Sequence, residues 1–340
     1  MQDDQEPISI LNEGKQFHSD ARAYAQDELV ACKTCERANP PTRTSCLYCG
    51  AALPVTEIAA TLIKPTLRPL ESWEQGFNAI LLPGEYDDSE LTLKKVSELL
   101  RLEVENVKVA IASGRALPLA RCASREEATL VQTRVSDMGL NVLIVADTDL
   151  DSFPPKRVRT FALTDDALVV YPTGLDGTHS IPWRDITLMV VGRRIVRRLE
   201  VAERPDKKRG NEVVDSREMS TDSERLDLYS SHDNAAWRVA ADNFDFSCLR
   251  ERKSLMASKN FQTLADVLRG RAEFSDYDDS YFRVRQSLGL VWPLEERTES
   301  LGLRKPRMGR INTGSVTTSD NEMQFTRYSR LLHHLKLRTT

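Results

Sequence analysis

Two closely spaced pairs of cysteines constrain the fold of this chain more than any other sequence feature. Four of its six cysteines form two Cys-x-x-Cys pairs, and only the segment from Glu36 to Ser45 separates them. Zinc takes four tetrahedral ligands, and a spacer of two residues lets a tight turn point both sulfurs of a pair at one ion. We therefore predict one zinc ion with four thiolate ligands: Cys32, Cys35, Cys46 and Cys49. Such a site has no open coordination position, so we expect the zinc to be structural and not catalytic.

The first residues of the chain bear on how these cysteines are used. Residues 1–7 are Met-Gln-Asp-Asp-Gln-Glu-Pro, an acidic segment that lacks the apolar stretch of a secretory signal peptide. No apolar run approaches the roughly 20 residues that a membrane helix needs. We therefore expect a cytoplasmic protein, in which paired cysteines are typical of a metal site and not of disulfide bonds. Redox chemistry at the pairs is the alternative interpretation.

The residues around the cysteines resemble a known family. The pattern Cys-x2-Cys-x3-Asn-x6-Cys-x2-Cys, with Asn39 in the Asn position, is similar to zinc fingers of the nucleoporin and Ran-binding type and to bacterial zinc ribbons. The resemblance implies a small zinc-binding module over residues 28–55. Some members of that family bind single-stranded RNA and others bind ubiquitin. Val30 stands where the family usually carries a Trp, and because stacking on a base needs an aromatic platform, we favour contact with protein.

Residues 72–150 carry alternating strand and helix patterns. Short apolar runs predict strands and apolar stripes at helical spacing predict helices. The predicted order is β-α-α-β-α-β, with strands at 77–82, 116–121 and 142–146, helices marked by Leu93, Val96 and Leu100 and by Val104, Val107 and Ile111, and a third helix opened by the capping box Ser124-Arg-Glu-Glu127.

This order resembles the fold shared by the substrate adaptor of the Clp protease and the C-terminal domain of the ribosomal stalk protein. In that adaptor an Asn-Asp pair before the first helix holds the free amino group of a peptide. Pro83 and Gly84 stand at the corresponding place here. The resemblance therefore implies the fold and docking to other proteins, without capture of N-terminal peptides.

Residues 156–272 are rich in short strand patterns. The predicted strands cover 157–163, 167–172, 180–183, 186–191, 195–201, 226–229 and 237–246, and a helical stripe follows at Phe261, Leu264, Ala265 and Leu268. Several strands followed by one amphipathic helix resemble a pleckstrin-homology-like domain of the bacterial, GRAM-related kind. The resemblance implies a β-sandwich or barrel capped by the helix. The polar segment 205–224 is predicted to be a long mobile loop.

The remaining segments complete a multidomain α+β protein. Residues 1–27 are polar and are predicted to form a mobile tail. Residues 273–340 are predicted to form an extended arm and a terminal helix, which the capping box Ser319-Asp-Asn-Glu322 would open. Phe325, Tyr328, Leu332 and Leu335 form one stripe of that helix, so we expect it to dock on a neighbouring surface.

Other candidate sites are weaker than the cysteine pairs. Cys122 and Cys248 have no neighbouring histidine and are predicted to pack in the core. Asp147, Asp149 and Asp151 have the spacing that opens a calcium loop, but the required Gly and Glu positions hold other residues, so we do not expect calcium. The chain also lacks the glycine-rich motifs of phosphate-binding loops.

Residues 193–209 form a run that is rich in basic side chains. Eight basic and three acidic side chains give it a net charge of +5, whereas the whole chain has 47 basic and 51 acidic residues and a net charge of −4. Near-neutral overall charge removes the general argument for a nucleic-acid binder, so we expect a solvated face. The basic residues are Arg193, Arg194, Arg197, Arg198, Arg204, Lys207, Lys208 and Arg209.

The sequence thus predicts a non-enzymatic, zinc-binding scaffold or adaptor that acts through protein–protein contacts. The alternative is a nucleic-acid-binding regulator that uses the zinc module and the basic run 193–209. No motif indicates an enzyme or a small-molecule substrate, and we do not expect an anionic membrane surface as the partner.

Overall fold

A computed structural model describes residues 24–54, 65, 67–71, 73–151, 153–174, 177–206, 210–307 and 310–339. The chain divides into two compact units, residues 1–63 and residues 64–340. Most of the tail predicted for residues 1–27 lies outside the described residues. Within the described part of the chain, no helix combines the length and the apolar character needed to cross a membrane.

The first unit contains a small pair of strands around the cysteines. Strands β1 (Val30–Ala31) and β2 (Ala38–Asn39) pair in antiparallel fashion, and an isolated bridge joins Ser45 to Ala52. Its core consists of Val30, Cys32, Cys46 and Leu53. A core of this size buries little apolar surface, so a unit like this one depends on a metal or another cross-link for its stability.

The second unit begins with the predicted α/β elements. They are β3 (Phe77–Leu81), α1 (Glu90–Leu100), α2 (Val104–Ala112), β4 (Leu117–Cys122), α3 (Arg125–Asp137), β5 (Val142–Ala146) and the short helix α4 (Asp147–Asp151). The strands form a three-stranded antiparallel sheet in the order β4-β3-β5. The predicted cap of α3 is observed, since the Ser124 hydroxyl accepts a hydrogen bond from the Glu127 amide at 3.2 Å. The predicted order of elements is confirmed up to β5.

A larger sheet follows. Its strands are β6 (Lys156–Leu163), β7 (Ala167–Pro172), β8 (His179–Pro182), β9 (Ile186–Asp206), β10 (Gly210–Ser230), β11 (Asp233–Ala240), β12 (Asp276–Asp278), β13 (Glu295–Arg307) and β14 (Arg310–Asp320). The order across the sheet is β13-β14-β9-β10-β11-β6-β7-β8, with β12 alongside β9. The sheet is open at both ends, so the closed-barrel form of the prediction is wrong.

Three helices cover the larger sheet: α5 (Ala257–Arg271), α6 (Tyr281–Gly289) and α7 (Glu322–Thr339). The predicted stripe of α5 packs on one face, in a core with Leu226, Leu228 and Trp237. The other face contributes Leu188 and Tyr229 to a second core, which also contains α6, α7 and the three-stranded sheet. Residues of the 72–150 and 156–272 segments therefore share one core.

The predicted mobile loop 205–224 is wrong, because most of it belongs to a long hairpin. Strands β9 and β10 each run for 21 residues, and β14 pairs along the outer half of β9. No side chain from Asn211 to Asp222 is buried. Backbone hydrogen bonds and ion pairs such as Arg193–Asp222, at 3.1 Å, hold the hairpin without an apolar face.

The predicted extended arm over residues 273–318 is also organised. It contains β12, α6 and the hairpin of β13 and β14. The predicted cap residue Ser319 lies within β14, opposite Arg197 of β9. Helix α7 begins three residues later, and the Asp320 carboxylate accepts a hydrogen bond from the Glu322 amide at 2.9 Å. An acidic side chain therefore caps this helix in place of the serine.

His333 of α7 is expected to make the second unit sensitive to acid. Its side chain is 2% exposed and its ring stacks on Tyr229, with the centroids 4.2 Å apart. Burial, followed by the charges of Arg330 and His334, lowers the pKa of His333 to about 4 from an ordinary value of 6.5. The stabilisation by neutral His333 is therefore complete above pH 6.5 and is lost as the pH falls towards 4.

We expect His333→Phe to flatten the decline in stability over this pH range, because the variant has no proton to bind there. Urea unfolding of both proteins at several pH values between 6.5 and 4 measures the effect. Parallel pH profiles for the wild type and the variant would contradict the assignment.

Candidate metal centre

The four predicted cysteine ligands come together at one point. The Sγ atoms of Cys32 and Cys49 are 3.6 Å apart, as are those of Cys35 and Cys46. All four sulfurs lie within 4.8 Å of one another. Zn–S bonds of about 2.3 Å in a tetrahedron place the sulfurs about 3.8 Å apart, so the cluster fits one ion of this size. Four cysteines that can hold a metal ion are thus present, as predicted.

Two similar turns position these sulfurs. In the first, the Glu36 amide donates to the Cys32 carbonyl at 2.8 Å, and in the second the Gly50 amide donates to the Cys46 carbonyl at 3.1 Å. The residue after each pair has a positive φ, 59° at Glu36 and 73° at Gly50. At Gly50 the residue type itself indicates this left-handed conformation, because glycine adopts it without steric strain. Glu36 has the equivalent place in the first turn, and its residue type did not indicate a positive φ.

Backbone amides favour the thiolate form of the first cysteine in each pair. The Thr34 and Tyr48 amides donate to the sulfurs of Cys32 and Cys46, each at 3.4 Å. The Cys35 and Thr34 amides lower the pKa of Cys32. Burial raises the pKa of Cys46, but the Tyr48 and Cys49 amides and neighbouring polar groups outweigh it and lower the pKa to about 6.

The pKa of Cys35 indicates that a cation would be needed to keep all four cysteines in the thiolate form. The Arg37 amide favours its thiolate, but burial and the three neighbouring sulfurs raise the pKa of Cys35 to about 12. Four thiolates in contact repel one another in the absence of positive charge. A bound divalent cation reverses this and deprotonates a coordinating thiol outright. The donor set therefore suits a thiophilic metal ion.

Asn39 ties the two turns together, a role that its place in the motif did not indicate. It is fully buried. Its amide nitrogen donates to the Arg37 carbonyl at 2.8 Å and contacts the Cys46 sulfur at 3.5 Å. Its amide oxygen accepts from the Leu47 amide at 2.8 Å. One side chain thus holds both turns in register and supports a ligand from outside the metal's own coordination sphere.

We expect Asn39→Ala to weaken metal binding by about 10–100-fold, because the substitution removes this outer support and leaves the Leu47 amide without its acceptor. Competition with a chromogenic chelator measures the affinity. Thr34→Ala is the matched control, since the Thr34 side chain is exposed and only its backbone contacts a sulfur. Equal affinities for the two variants would show that Asn39 has no such role.

The other candidate residues do not join the cluster. Cys122 is fully buried, as predicted, and burial raises its pKa to about 12. Cys248 is partly buried beside the core under α5. Asp147 pairs with Arg121 at 2.6 Å and Asp151 pairs with Arg327 at 2.8 Å, so these carboxylates connect elements of the fold.

The basic run lies mainly on the long hairpin, where several arginines meet acids. Arg193 contacts Asp222 at 3.1 Å, Arg194 contacts Asp320 at 2.5 Å, and Arg198 contacts Glu200 at 3.0 Å. Lys207, Lys208 and Arg209 lie outside the described residues. Nearby carboxylates therefore neutralise part of the positive charge in the described part of the run.

No protein-family model matches this chain, and no significant match was found among curated proteins or solved structures. The metal centre therefore rests on its own residues and geometry.

Proposed function

We propose that the four cysteines hold one structural zinc ion in a zinc-ribbon-like module, and that the protein is a non-enzymatic adaptor or scaffold. The observation that carries this proposal is the cluster of four sulfurs, which has room for an ion and no place for a substrate. Zinc suits it because zinc prefers tetrahedral thiolate ligands in sites of this kind. The ion would fix the shape of the surface that surrounds it.

Exposed side chains on the second turn support contact with another protein. Leu47 and Tyr48 lie between two of the ligands and are 53% and 57% exposed. The Arg37 guanidinium lies 4.7 Å from the centre of the Tyr48 ring and holds it in place. Aromatic residues and arginine are enriched where proteins bind one another, and apolar groups fixed by a rigid turn lose little freedom on binding.

The buried charges of the second unit also favour a scaffold over an enzyme. Asp147, at the start of α4, pairs with Arg121 of β4, and Asp227 of β10 pairs with Arg238 of β11. Each of these carboxylates already faces an arginine within hydrogen-bond distance. Groups arranged in this way hold a fold together and are poorly placed to transfer protons to a substrate.

The finer domain assignments are part of the same proposal. Residues 72–150 are proposed to be related to the Clp-adaptor and ribosomal-stalk fold, on the strength of their element order. Residues 156–272 are proposed to be a bacterial pleckstrin-homology-like domain, on the strength of several strands followed by α5. The open sheet and its long hairpin are departures from that second fold. A cytoplasmic location is also proposed, because cysteine pairs that bind a metal and do not form disulfide bonds are typical of a reducing compartment.

Quantitative affinity purification from the native host tests the adaptor function. Leu47→Ser/Tyr48→Ser is expected to lose at least one protein that the wild type retains, while keeping one equivalent of zinc. Leu255→Ser/Met256→Ser is the matched control, because these apolar side chains are also exposed but lie in the other unit. If all three proteins recover the same set of partners, the second turn is not the binding surface.

The alternative function, a nucleic-acid-binding regulator, is tested through the basic run. We expect only weak binding to RNA or DNA at physiological salt, because Arg193, Arg194 and Arg198 already face acids. Sub-micromolar affinity that falls steeply with salt and is abolished by Lys207→Glu/Lys208→Glu/Arg209→Glu would favour the alternative.

A further inference from the structure

A surface cavity of about 250 Å³ lies where α6, β9, β14 and the start of α7 meet. Its lining includes two arginines, three side-chain amides and one hydroxyl, but no carboxylate. We call it the two-arginine pocket, after Arg197 of β9 and Arg285 of α6. The sequence pattern predicted the segment that contains α6 and β14 to be extended, so it did not indicate that these two arginines line one cavity.

The floor of the two-arginine pocket is polar and fixed in place. Asn321 and Gln324 are each 3% exposed. The Asn321 amide donates to the Arg193 carbonyl at 2.9 Å and accepts from the Ile195 amide at 2.7 Å. Its position is therefore set by the backbone of β9 on both sides.

Gln324 is fixed equally well but keeps a free donor. The Tyr281 hydroxyl donates to its amide oxygen at 2.9 Å, and its amide nitrogen donates to the Trp292 carbonyl at 2.9 Å. A primary amide has two N–H groups. Among the described residues only one acceptor is present, so the second N–H is available to a ligand in the pocket.

The two arginines lack the acidic partners that their neighbours have. Neither Arg197 nor Arg285 forms an ion pair with any residue in the described part of the chain, whereas Arg198 pairs with Glu200 at 3.0 Å. Ser220 and Ser319 stand opposite Arg197 on the two adjoining strands. The Arg285 guanidinium instead lies 4.7 Å from the centre of the Phe282 ring.

We propose that the two-arginine pocket binds the carboxylate or phosphate group of a small molecule. Guanidinium groups present N–H donors in a fork that matches two oxygens of such an anion. The free N–H of Gln324 supplies a further donor from the floor. Ile195 and Leu294 line the same cavity and offer contact to a short apolar portion of the ligand. The volume suits a ligand of only a few heavy atoms.

Titration of the full-length protein with three probes tests this proposal: inorganic phosphate, isovalerate and the neutral analogue isovaleramide. Calorimetry or NMR shifts report binding. Saturable binding of at least one anion, with none of the amide, is expected. Phosphate alone would identify a phosphate site, whereas isovalerate alone would identify a carboxylate site with an apolar portion.

Arg197→Gln and Arg285→Gln are each expected to raise the dissociation constant about tenfold or more, since each removes a charged hydrogen bond. Arg198→Gln and Arg283→Gln are the matched controls, because they lie on the same two elements but pair with Glu200 and Asp279. The controls should bind as the wild type does. Failure of both anions to saturate the protein, or equal affinities for the pocket variants and the controls, would overturn the proposal.

Discussion

Cys46→Ser is expected to lose the metal and, with it, the structure of residues 24–54. Two of the four side chains in the core of this unit are the ligands Cys32 and Cys46. Structural zinc supplies on the order of 10–16 kcal/mol of folding free energy in comparable modules at neutral pH. Val30 and Leu53 alone cannot replace such a contribution, because burying an apolar side chain yields only about 1.5–3 kcal/mol.

The second unit should survive this substitution, since residues 64–340 form a separate compact unit with cores of their own. Metal analysis and two-dimensional NMR of the full chain measure both effects. The variant should contain less than half an equivalent of zinc and lose only the dispersed signals of the first unit.

Cys248→Ser is the matched control, because Cys248 is a partly buried cysteine outside the cluster. It should retain one equivalent of zinc. A Cys46→Ser protein with a full equivalent of zinc, or with unchanged signals from residues 24–54, would refute the assignment of the ligands.

The cluster of four cysteines could be predicted because it depends on residues that are close together in the sequence. Each pair of ligands lies within one turn, and the spacing of two residues fixes how the sulfurs are presented. The bridging role of Asn39 could not be predicted, since it depends on contacts to Arg37 and Leu47 that exist only after both turns have formed.

The elements of the 72–150 segment could be predicted because each helix buries one face, whereas β3 and β4 are short runs that are buried almost throughout. Leu93, Val96 and Leu100 were expected on one face of a helix, and each is at most 4% exposed. Periodicity therefore predicted burial correctly for this helix. In the next helix the predicted stripe is only partly buried, because Val107 is fully buried but Val104 is 38% exposed.

The long hairpin could not be predicted for the opposite reason. From Asn211 to Asp222 neither face of β10 is covered, so the sequence carries no apolar alternation. Gly192 lies between the predicted strands 186–191 and 195–201, which form the single strand β9 in the structure. A Cβ at Gly192 would collide with the ring of Phe325, so this glycine permits the close approach of α7 and does not interrupt β9.

Asp227→Ala is expected to lower the stability of the second unit by about 3–5 kcal/mol, because it leaves a buried guanidinium without its main partner. Arg238 is 2% exposed and Asp227 is 1% exposed, and two hydrogen bonds of 2.6 and 2.7 Å join them across β10 and β11. Burial alone would lower the pKa of Arg238, but Asp227 and then Glu322 raise it, so the group stays charged.

The same guanidinium connects the sheet to the terminal helix. It donates to the Glu322 carboxylate at 3.1 Å and to the Thr326 hydroxyl at 2.9 Å, both on α7. Loss of Asp227 should therefore loosen α7 as well as the strand pair. Urea unfolding measures the free energy, and hydrogen exchange of the α7 amides reports the helix separately.

Two further variants distinguish the effect of breaking a buried ion pair from the effect of losing any carboxylate. Asp279→Ala breaks an exposed pair with Arg283 and should cost about 0.5 kcal/mol or less. Asp227→Leu/Arg238→Met removes both buried charges and should be more stable than Asp227→Ala, because no isolated charge remains in the core. The double variant could instead be the less stable of the two. In that case the packing of Arg238 against α7 contributes more to stability than an unpaired buried charge costs. The cost of the unpaired charge would then not explain the loss of stability in Asp227→Ala.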